Sequence, residues 1–471
     1  MHEVLERELK WEVDEEFVLP RLDDIVTGAD VRRTTVHLTS SYYDTADGDL
    51  RGNGVLLRRR DGDEDTGWQL KVPATEGRVE IRTTLSETPP SELTEMLTGM
   101  RLGKPLVNIS TIRTVRDRYR ISKPKHDRVC IEVDVDQVRA SVDQRLLAWR
   151  EIEVELGPAT KSIPRELADR LAQSGAKPSP YPSKLARVAD TGRPMRAGDT
   201  PAGAIADYLG AQIDEIFAGD LGLRRGTDPI HDTRVGIRRL RSTLRVFGKL
   251  LEPDAITGVE DELKWFAALL GEVRDRQVQR RRFRDALSDL PTELVVGPVA
   301  NRINNDLQSD QLRARRQVAE AMESPRYLDL LAALRQWRSE QPVVDEISVK
   351  KLTKLARKAE RKADRRLAGG IESGDDALLH RGRKAAKRAR YAAELRAPLD
   401  KSAKRTVKYY KQFQRLLGDH QDSAVASETL LRLGLVAGTT DGENGFTFGM
   451  LYAQEQRAAA DARRKVTELL G

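Results

Sequence analysis

Two spacings of hydrophobic residues divide this 471-residue chain. Up to about residue 190, apolar and polar positions alternate, the period of a strand whose two faces meet different surroundings. From about residue 201, apolar residues recur every three or four positions, as on a helix buried along one side. The alternation predicts eight strands, at 4–13, 36–45, 55–60, 68–72, 78–85, 114–121, 129–135 and 147–156, with Gly- and Asp-rich turns between them. Short helices are expected near 17–25, 93–98 and 163–173, and Pro178, Pro180 and Pro182 then break the chain before Lys184. The stretch 191–200, with Gly192, Pro194 and Gly198 and no hydrophobic period, reads as a linker. It separates a domain at 1–190 from one at 201–471, whose first helix is expected at 202–217.

The polar positions of the strands are charged, and the charges share faces. Glu6, Glu8 and Lys10 lie on one side of the first strand; Arg58 and Arg60, then Arg78, Glu80 and Arg82, repeat the arrangement. So do Arg116, Arg118 and Arg120, Glu132, Asp134 and Asp136, and Glu151, Glu153 and Glu155. One such strand is ordinarily the solvent face of an antiparallel sheet. Six of them, two with Glu-x-Glu, point to a sheet curled round an ionic lumen, with its apolar face covered from outside. Carboxylates gathered there need a compensating cation, and an all-oxygen donor set suits Mg2+ or Mn2+. Glu6 and Glu8 opposite Glu151, Glu153 and Glu155 are the expected metal ligands. Arg58, Arg60, Arg78, Arg116 and Arg118 offer planar forks for phosphate oxygens, and Lys10, Lys71 and Lys184 act as point charges. Arg82, Arg113, Arg120, Glu132 and Asp136 fit a rim or outer face equally well, and His37 and His126 are expected to be structural or exposed. No Ser-His-Asp constellation stands out, and phosphoryl transfer does not require one.

The helical half repeats itself. His231-x-x-Arg234-x-x-x-Arg238-Arg239-x-Arg241 matches His380-x-x-Arg383-Lys384-x-x-Lys387-Arg388-x-Arg390. Each is followed by Leu-Gly and then an Asp, at Leu270-Gly271 with Asp275 and Leu417-Gly418 with Asp422; the intervals from His to Gly are 40 and 38 residues. Two similar helical units, about 201–340 and 341–471, are expected. His231, Arg234, Arg238, Arg241 and Arg245 step by three and four, so one helix face is a stripe of cations. Like charges at that spacing repel unless anions or acids meet them, and Asp275 and Asp422 are candidates.

Composition narrows the classes. With 39% hydrophobic and 33% charged residues, the chain is a soluble globular protein, and its length implies two or three domains. Residues 1–200 hold 32 basic against 35 acidic residues, a net −3, whereas 201–471 hold 49 against 39, a net +10. The basic half therefore looks toward a polyanion. Charge does not choose among nucleic acid, polyphosphate and anionic lipid, but aromatics make up 5% of the chain and show no stacking platform, which counts against nucleic acid. No apolar run reaches the roughly 18 residues of a membrane span. A single cysteine, Cys130, excludes an internal disulfide framework and any multi-cysteine metal site. A motif starting at Glu6 leaves no room for a cleavable leader, so a cytoplasmic protein is expected.

The ordered set Glu6-x-Glu8-x-Lys10, Arg58-x-Arg60, Leu70-Lys71, Arg78-x-Glu80, Arg116-x-Arg118 and Glu151-x-Glu153-x-Glu155 resembles the CYTH domain of the triphosphate tunnel metalloenzymes over 1–190. The resemblance implies an eight-stranded antiparallel tunnel, divalent metal on paired glutamates and a triphosphate gripped by the basic side chains. The repeated His-x-x-Arg helices resemble the CHAD domain over 201–471. That implies two pseudo-symmetric four-helix bundles around a basic cavity that binds inorganic polyphosphate. Carried over by position, its anion-binding residues are His231, Arg234, Arg238, Arg239, Arg241 and Arg245, with His380, Arg383, Lys384, Lys387, Arg388 and Tyr391. Gln277 replaces a second acidic residue frequent in the family. Together these imply a metal-dependent phosphohydrolase acting on inorganic triphosphate or a related triphosphate, coupled to a polyphosphate-binding domain. A non-catalytic polyphosphate-targeting protein is the alternative; adenylate cyclase would need a base-recognition pocket that is not apparent.

Overall fold

The computed structural model describes residues 1–62, 64, 66–123, 128–142, 145–189, 200–344 and 346–470. His126 and all of the expected linker except Thr200 lie outside the described residues. The chain divides into two compact units, Met1–Arg193 and Pro194–Gly471.

The first unit is built on one antiparallel sheet. Its strands are β1 (His2–Glu6), β2 (Glu8–Val13), β3 (Asp30–Asp44), β4 (Leu56–Asp61), β5 (Gly67–Pro73), β6 (Arg78–Thr83), β7 (Val107–Lys123), β8 (Arg128–Val142), β9 (Arg145–Leu156) and β10 (Lys177–Pro178). They run in the order β1-β6-β5-β4-β3-β7-β8-β9-β2-β10. β1 and β2 are successive halves of one stretch parted only at Arg7: β1 pairs with β6 and β2 with β9. The sheet thus curls until both flanks meet in the N-terminal segment. Among the described residues ten strands stand where eight were expected, because the first is split at Arg7 and the two-residue β10 adds to β2. Gly77, at φ +87°, makes this junction feasible: a Cβ there would lie 2.1 Å from the carbonyl oxygen of Glu6.

Among the short helices are α1 (Asp49–Gly52), α2 (Ser91–Met96), α3 (Thr98–Arg101), α4 (Arg165–Gln173) and α5 (Lys184–Val188). The helix expected near 17–25 does not form. Pro20 removes a backbone donor in the middle of that stretch, and burial rather than helical periodicity places its apolar residues. Phe17, Leu22 and Ile25 pack, with Leu167 and Leu171 of α4, on the outer face formed by Trp11, Ile131, Val133, Ile152 and Val154. That layer covers the apolar side of the sheet and leaves the charged side inward.

The second unit is all-helical: α6 (Pro201–Arg224), α7 (Ile230–Phe247), α8 (Pro253–Ile256), α9 (Val259–Ser288), α10 (Val299–Met322), α11 (Pro325–Ser339), α12 (Val349–Ser373), α13 (Asp376–Arg396), α14 (Ala403–Ala437) and α15 (Phe446–Leu470). Side-chain caps start several of them: Thr200, Ser324, Ser348 and Asp375 each accept a hydrogen bond from a backbone N–H of the first turn. α6, α7, α9 and α11 pack as one ring of four, α12 to α15 as another, and α7 meets α13 between them. Phe283, Ile303 and Leu307 join Leu430, Leu433 and Phe448 in a further core where the long hairpins α9–α10 and α14–α15 meet.

Candidate functional site

Register builds the lumen of the first unit. β7, β8 and β9 place Arg116 opposite Asp136 and Asp136 opposite Glu151; the next inward row is Arg118, Asp134 and Glu153. β2 adds Lys10 opposite Glu153 and Glu8 opposite Glu155. From the other flank β6 sets Glu80 opposite Lys71 of β5, and β4 supplies Arg58 and Arg60. One cavity is lined by Glu6, Glu8, Lys10, Arg58, Arg60, Lys71, Arg78, Arg116, Arg118, Glu153, Glu155 and Lys184, so every residue expected there except Glu151 faces it. Glu151 lies just beside, its carboxylate 2.8 Å from the Lys184 ammonium.

Cations and carboxylates interleave throughout. The Arg116 fork donates to Asp136 at 2.8 and 2.7 Å and to Glu153 at 2.6 Å. Lys184 starts α5 behind the N-cap Ser183 and reaches Asp136 at 2.7 Å and Glu153 at 2.7 Å. Arg58 donates to Gln69 at 2.5 Å and Glu80 at 3.3 Å, while Lys71 meets Glu80 at 3.1 Å and also pairs with Glu6. Arg118 approaches Glu132 at 3.0 Å, and Lys10 pairs with Glu153.

The titration shifts follow these neighbours. Burial opposes charge on Glu153, yet Lys10, Lys184 and Arg116 hold it well below the ordinary carboxylate range. Burial opposes charge on Lys184 too, and Asp136, Glu153 and Glu151 outweigh it. At Glu155, burial and the nearby Glu6 carboxylate push the value up to about 8. Asp134 is pushed up to about 7 by burial, although Arg116 pulls the other way. Burial next to Arg58 and Arg116 lowers Arg60 to about 10.

Among the described residues, Asp136, Glu151 and Glu153 form a metal-competent group, with one oxygen of each lying within 4.8 Å of the others. An all-carboxylate set of this size fits a hard divalent cation that keeps waters or phosphate oxygens in its shell. Glu6, Glu8 and Glu155 make a second acidic group, bearing on one another electrostatically. Asp136 was open between rim and lumen in the sequence; it is fully buried inside. Its signal was its position in Glu132-x-Asp134-x-Asp136, the same parity as Glu132 and Asp134. Glu80, also fully buried, was noted on its strand face but not as a site residue. Arg113 and His37 are exposed on the outside.

The helical unit brings the two expected stripes together. Arg238 bears on Arg383, and Arg234 on Lys387. Arg234 matches Arg383 in the repeat and Arg238 matches Lys387, so these two contacts are copies of one another. Gly271 and Gly418 are copies as well: a Cβ on either would lie 3.4 Å from Nη2 of Arg234 or Arg383, so each guanidinium lies over the Leu-Gly step of the next helix. Arg234 pairs with Asp275 at 3.2 Å, and His380 Nδ1 lies 2.7 Å from Gln421. The buried Nε atoms of Arg238 and Arg383 have no hydrogen-bond partner among the described residues. Burial beside Arg383, Arg238 and Arg234 lowers Lys387 to about 7. His231 and Lys384 stand exposed at the edge. Away from this cluster, Arg239 pairs with Glu394 at 3.1 Å and lies over Tyr391, whereas its copy Arg388 faces Arg245 and Arg366. Arg241 and Arg245 share Glu260. Gln277 donates to Asp228 at 2.8 Å, a bond that an acidic residue at this position could not make.

A CYTH-domain profile matches residues 5–188 and a CHAD-domain profile residues 207–431. The chain is 32% identical over 503 aligned positions to Uncharacterized protein Rv2226 of Mycobacterium tuberculosis (strain H37Rv), covering 99% of this chain and 96% of that one. It therefore belongs to the family of proteins in which a CYTH domain is followed by a CHAD domain. Similar solved structures include the CHAD domain from the plant Ricinus communis, with 27% identity, TM-score 0.48, and 59% of this chain and 96% of that one covered. PptA from Streptomyces chartreusis shares 22% identity at TM-score 0.49, over 57% of this chain and 98% of that one. No helix of the described residues is long and apolar enough to cross a membrane.

Proposed function

We propose that this protein is a Mg2+- or Mn2+-dependent phosphohydrolase of inorganic triphosphate or a related triphosphate, joined to a helical domain that binds inorganic polyphosphate. The observation that carries the first part is the mixed lumen, where Arg58, Arg60, Arg116, Arg118, Lys10, Lys71 and Lys184 face one space together with the carboxylates. A binder of polyanion alone gains little from so many buried carboxylates, which repel it.

Asp136, Glu151 and Glu153 would hold the cation, with Glu6, Glu8 and Glu155 as the second acidic group. When bound, the cation supplies charge neutralisation at the phosphates. The arginine forks and the ammonium groups align the phosphoryl oxygens, so that positioning and charge stabilisation supply most of the rate. Each basic residue exchanges a carboxylate partner for a phosphate oxygen as substrate enters, so each has an anionic partner in both states. For the helices, Arg234, Arg238, Arg383 and Lys387 form the core of the polyanion site. Asp422 bears on Lys387 but does not restore it to the ordinary lysine range.

Phosphate release from tripolyphosphate, with Mg2+ or Mn2+, tests the hydrolase in wild type beside Glu6→Gln/Glu8→Gln. Metal-dependent release that disappears in the double variant is expected. No release from tripolyphosphate, ATP or thiamine triphosphate, with polyphosphate still bound, would reassign the protein to targeting.

A further inference from the structure

A second basic cavity, of about 750 Å3, opens between α9 and α10. Arg274, Arg280, Arg281 and Arg284 line one wall, and carboxamides of Asn304 and Gln311 line the other. Arg280 is fixed there, donating to Gln311 at 2.8 Å and to Asn304 at 2.7 Å. Arg281 and Arg284 are exposed, Arg284 pairing with the neighbouring Asp285 at 3.0 Å, and Asp228 is a carboxylate on the rim.

The repeat shows that the fold does not need these arginines. Counting from the shared Leu-Gly, the corresponding residues of α14 are Gln421, Ser427, Glu428 and Leu431. The same long helix is therefore built with one acidic and no basic side chain at the four positions. Four arginines against the two carboxylates Asp228 and Asp285 leave an excess of like charge along α9, which a bound anion would relieve. Their row also runs on from the central cluster, for Arg274 bears on His231. From Arg274 to Arg284 the helix advances roughly 15 Å, at about 1.5 Å per residue.

We propose that the α9–α10 cavity is an extension of the polyanion site, which receives the part of a long polyphosphate chain that runs past His231. This rests on the polyphosphate reading of the helical unit. It makes the site one-sided: the chain leaves the central cluster along α9 and not along α14.

The test uses the full chain, with chelator present to silence hydrolysis. Affinity is measured over a range of salt for long-chain polyphosphate, for a short oligophosphate and for ATP. Arg281→Gln/Arg284→Gln and Arg281→Glu/Arg284→Glu are compared with wild type and with Arg238→Glu/Lys387→Glu. Thermal melting checks that each is folded. The α9 variants are expected to bind long chains about tenfold less tightly, with a salt dependence shallower by about two released counterions, and to bind the short oligophosphate as wild type does. Unchanged long-chain affinity, or equal losses for long and short chains, would overturn the extension. Loss of ATP binding with long chains unaffected would assign the cavity to free nucleotides and overturn it also. If Arg238→Glu/Lys387→Glu loses neither ligand, the polyphosphate reading itself falls, whatever the α9 variants do.

Discussion

Lys184 and Lys387 carry the same ammonium group into opposite surroundings. Burial works against the charge of both. Lys184 meets Asp136, Glu151 and Glu153 within 2.8 Å, and its value is raised well above the ordinary lysine range. Lys387 meets Arg383, Arg238 and Arg234 instead, and its value falls to about 7. The difference separates two ways of handling phosphate. A lumen of paired charges accepts a cation and an anion together, as a metal–phosphate complex. A stripe of opposed cations accepts an anion alone, and the anion relieves their repulsion.

The largest effect should come from the lumen. Asp136→Asn/Glu151→Gln is expected to lower metal-dependent tripolyphosphate hydrolysis by at least about 100-fold, since altering even outer partners of a metal site costs 10–100-fold. Comparison with Glu6→Gln/Glu8→Gln shows which acidic group binds the ion: the variant whose apparent metal affinity falls more identifies it. Neither should weaken polyphosphate binding by the helices.

Reversing charge at the stripe should do the converse. Arg238→Glu/Lys387→Glu is expected to weaken polyphosphate binding by about 100-fold or more at low salt, at about 1.5–3 kcal/mol for each charge-assisted contact removed. Tripolyphosphate turnover should stay at the wild-type rate. RNA added as competitor at fixed salt should displace polyphosphate poorly, and efficient displacement would instead favour nucleic acid as the partner.

A smaller effect follows from pH. Lys387 is about half-protonated near pH 7 in the free protein, and a bound polyanion raises its value. Above pH 7, binding therefore takes up a proton. Affinity should fall as pH rises, by up to about tenfold per unit for one proton, and flatten below that value. Calorimetry in buffers of different ionisation enthalpy counts the proton directly. Lys387→Arg should bind with no such dependence, because arginine stays charged.

Much of this arrangement was legible in the chain because both patterns are local. Alternation placed Arg58, Arg116, Glu153 and their neighbours on inward faces, and the three-four spacing placed Arg234 and Arg238 on one stripe. What stayed hidden depends on pairing between distant segments. Whether Glu151 and Glu153 join Glu6 and Glu8 or Asp136 is decided by the β8–β9 register, which sets Asp136 opposite Glu151. A single-residue slip would have turned Asp136 outward. The copies at Arg239 and Arg388 likewise read as equals, yet Glu394 stands where the other half has Arg245, so one is neutralised and the other is not. The stretch at 17–25 misled because an apolar segment of that length fits a helix or a loop pinned by burial equally well.

One preparation of the full-length protein can be assayed for tripolyphosphate hydrolysis and for polyphosphate binding, before and after chelation of divalent metal. Hydrolysis should vanish and return with added Mg2+ or Mn2+, while polyphosphate binding stays within about twofold. Hydrolysis that persists without metal, or binding that is lost along with it, would contradict the division between a lumen that takes a cation with its anion and a stripe that takes an anion alone.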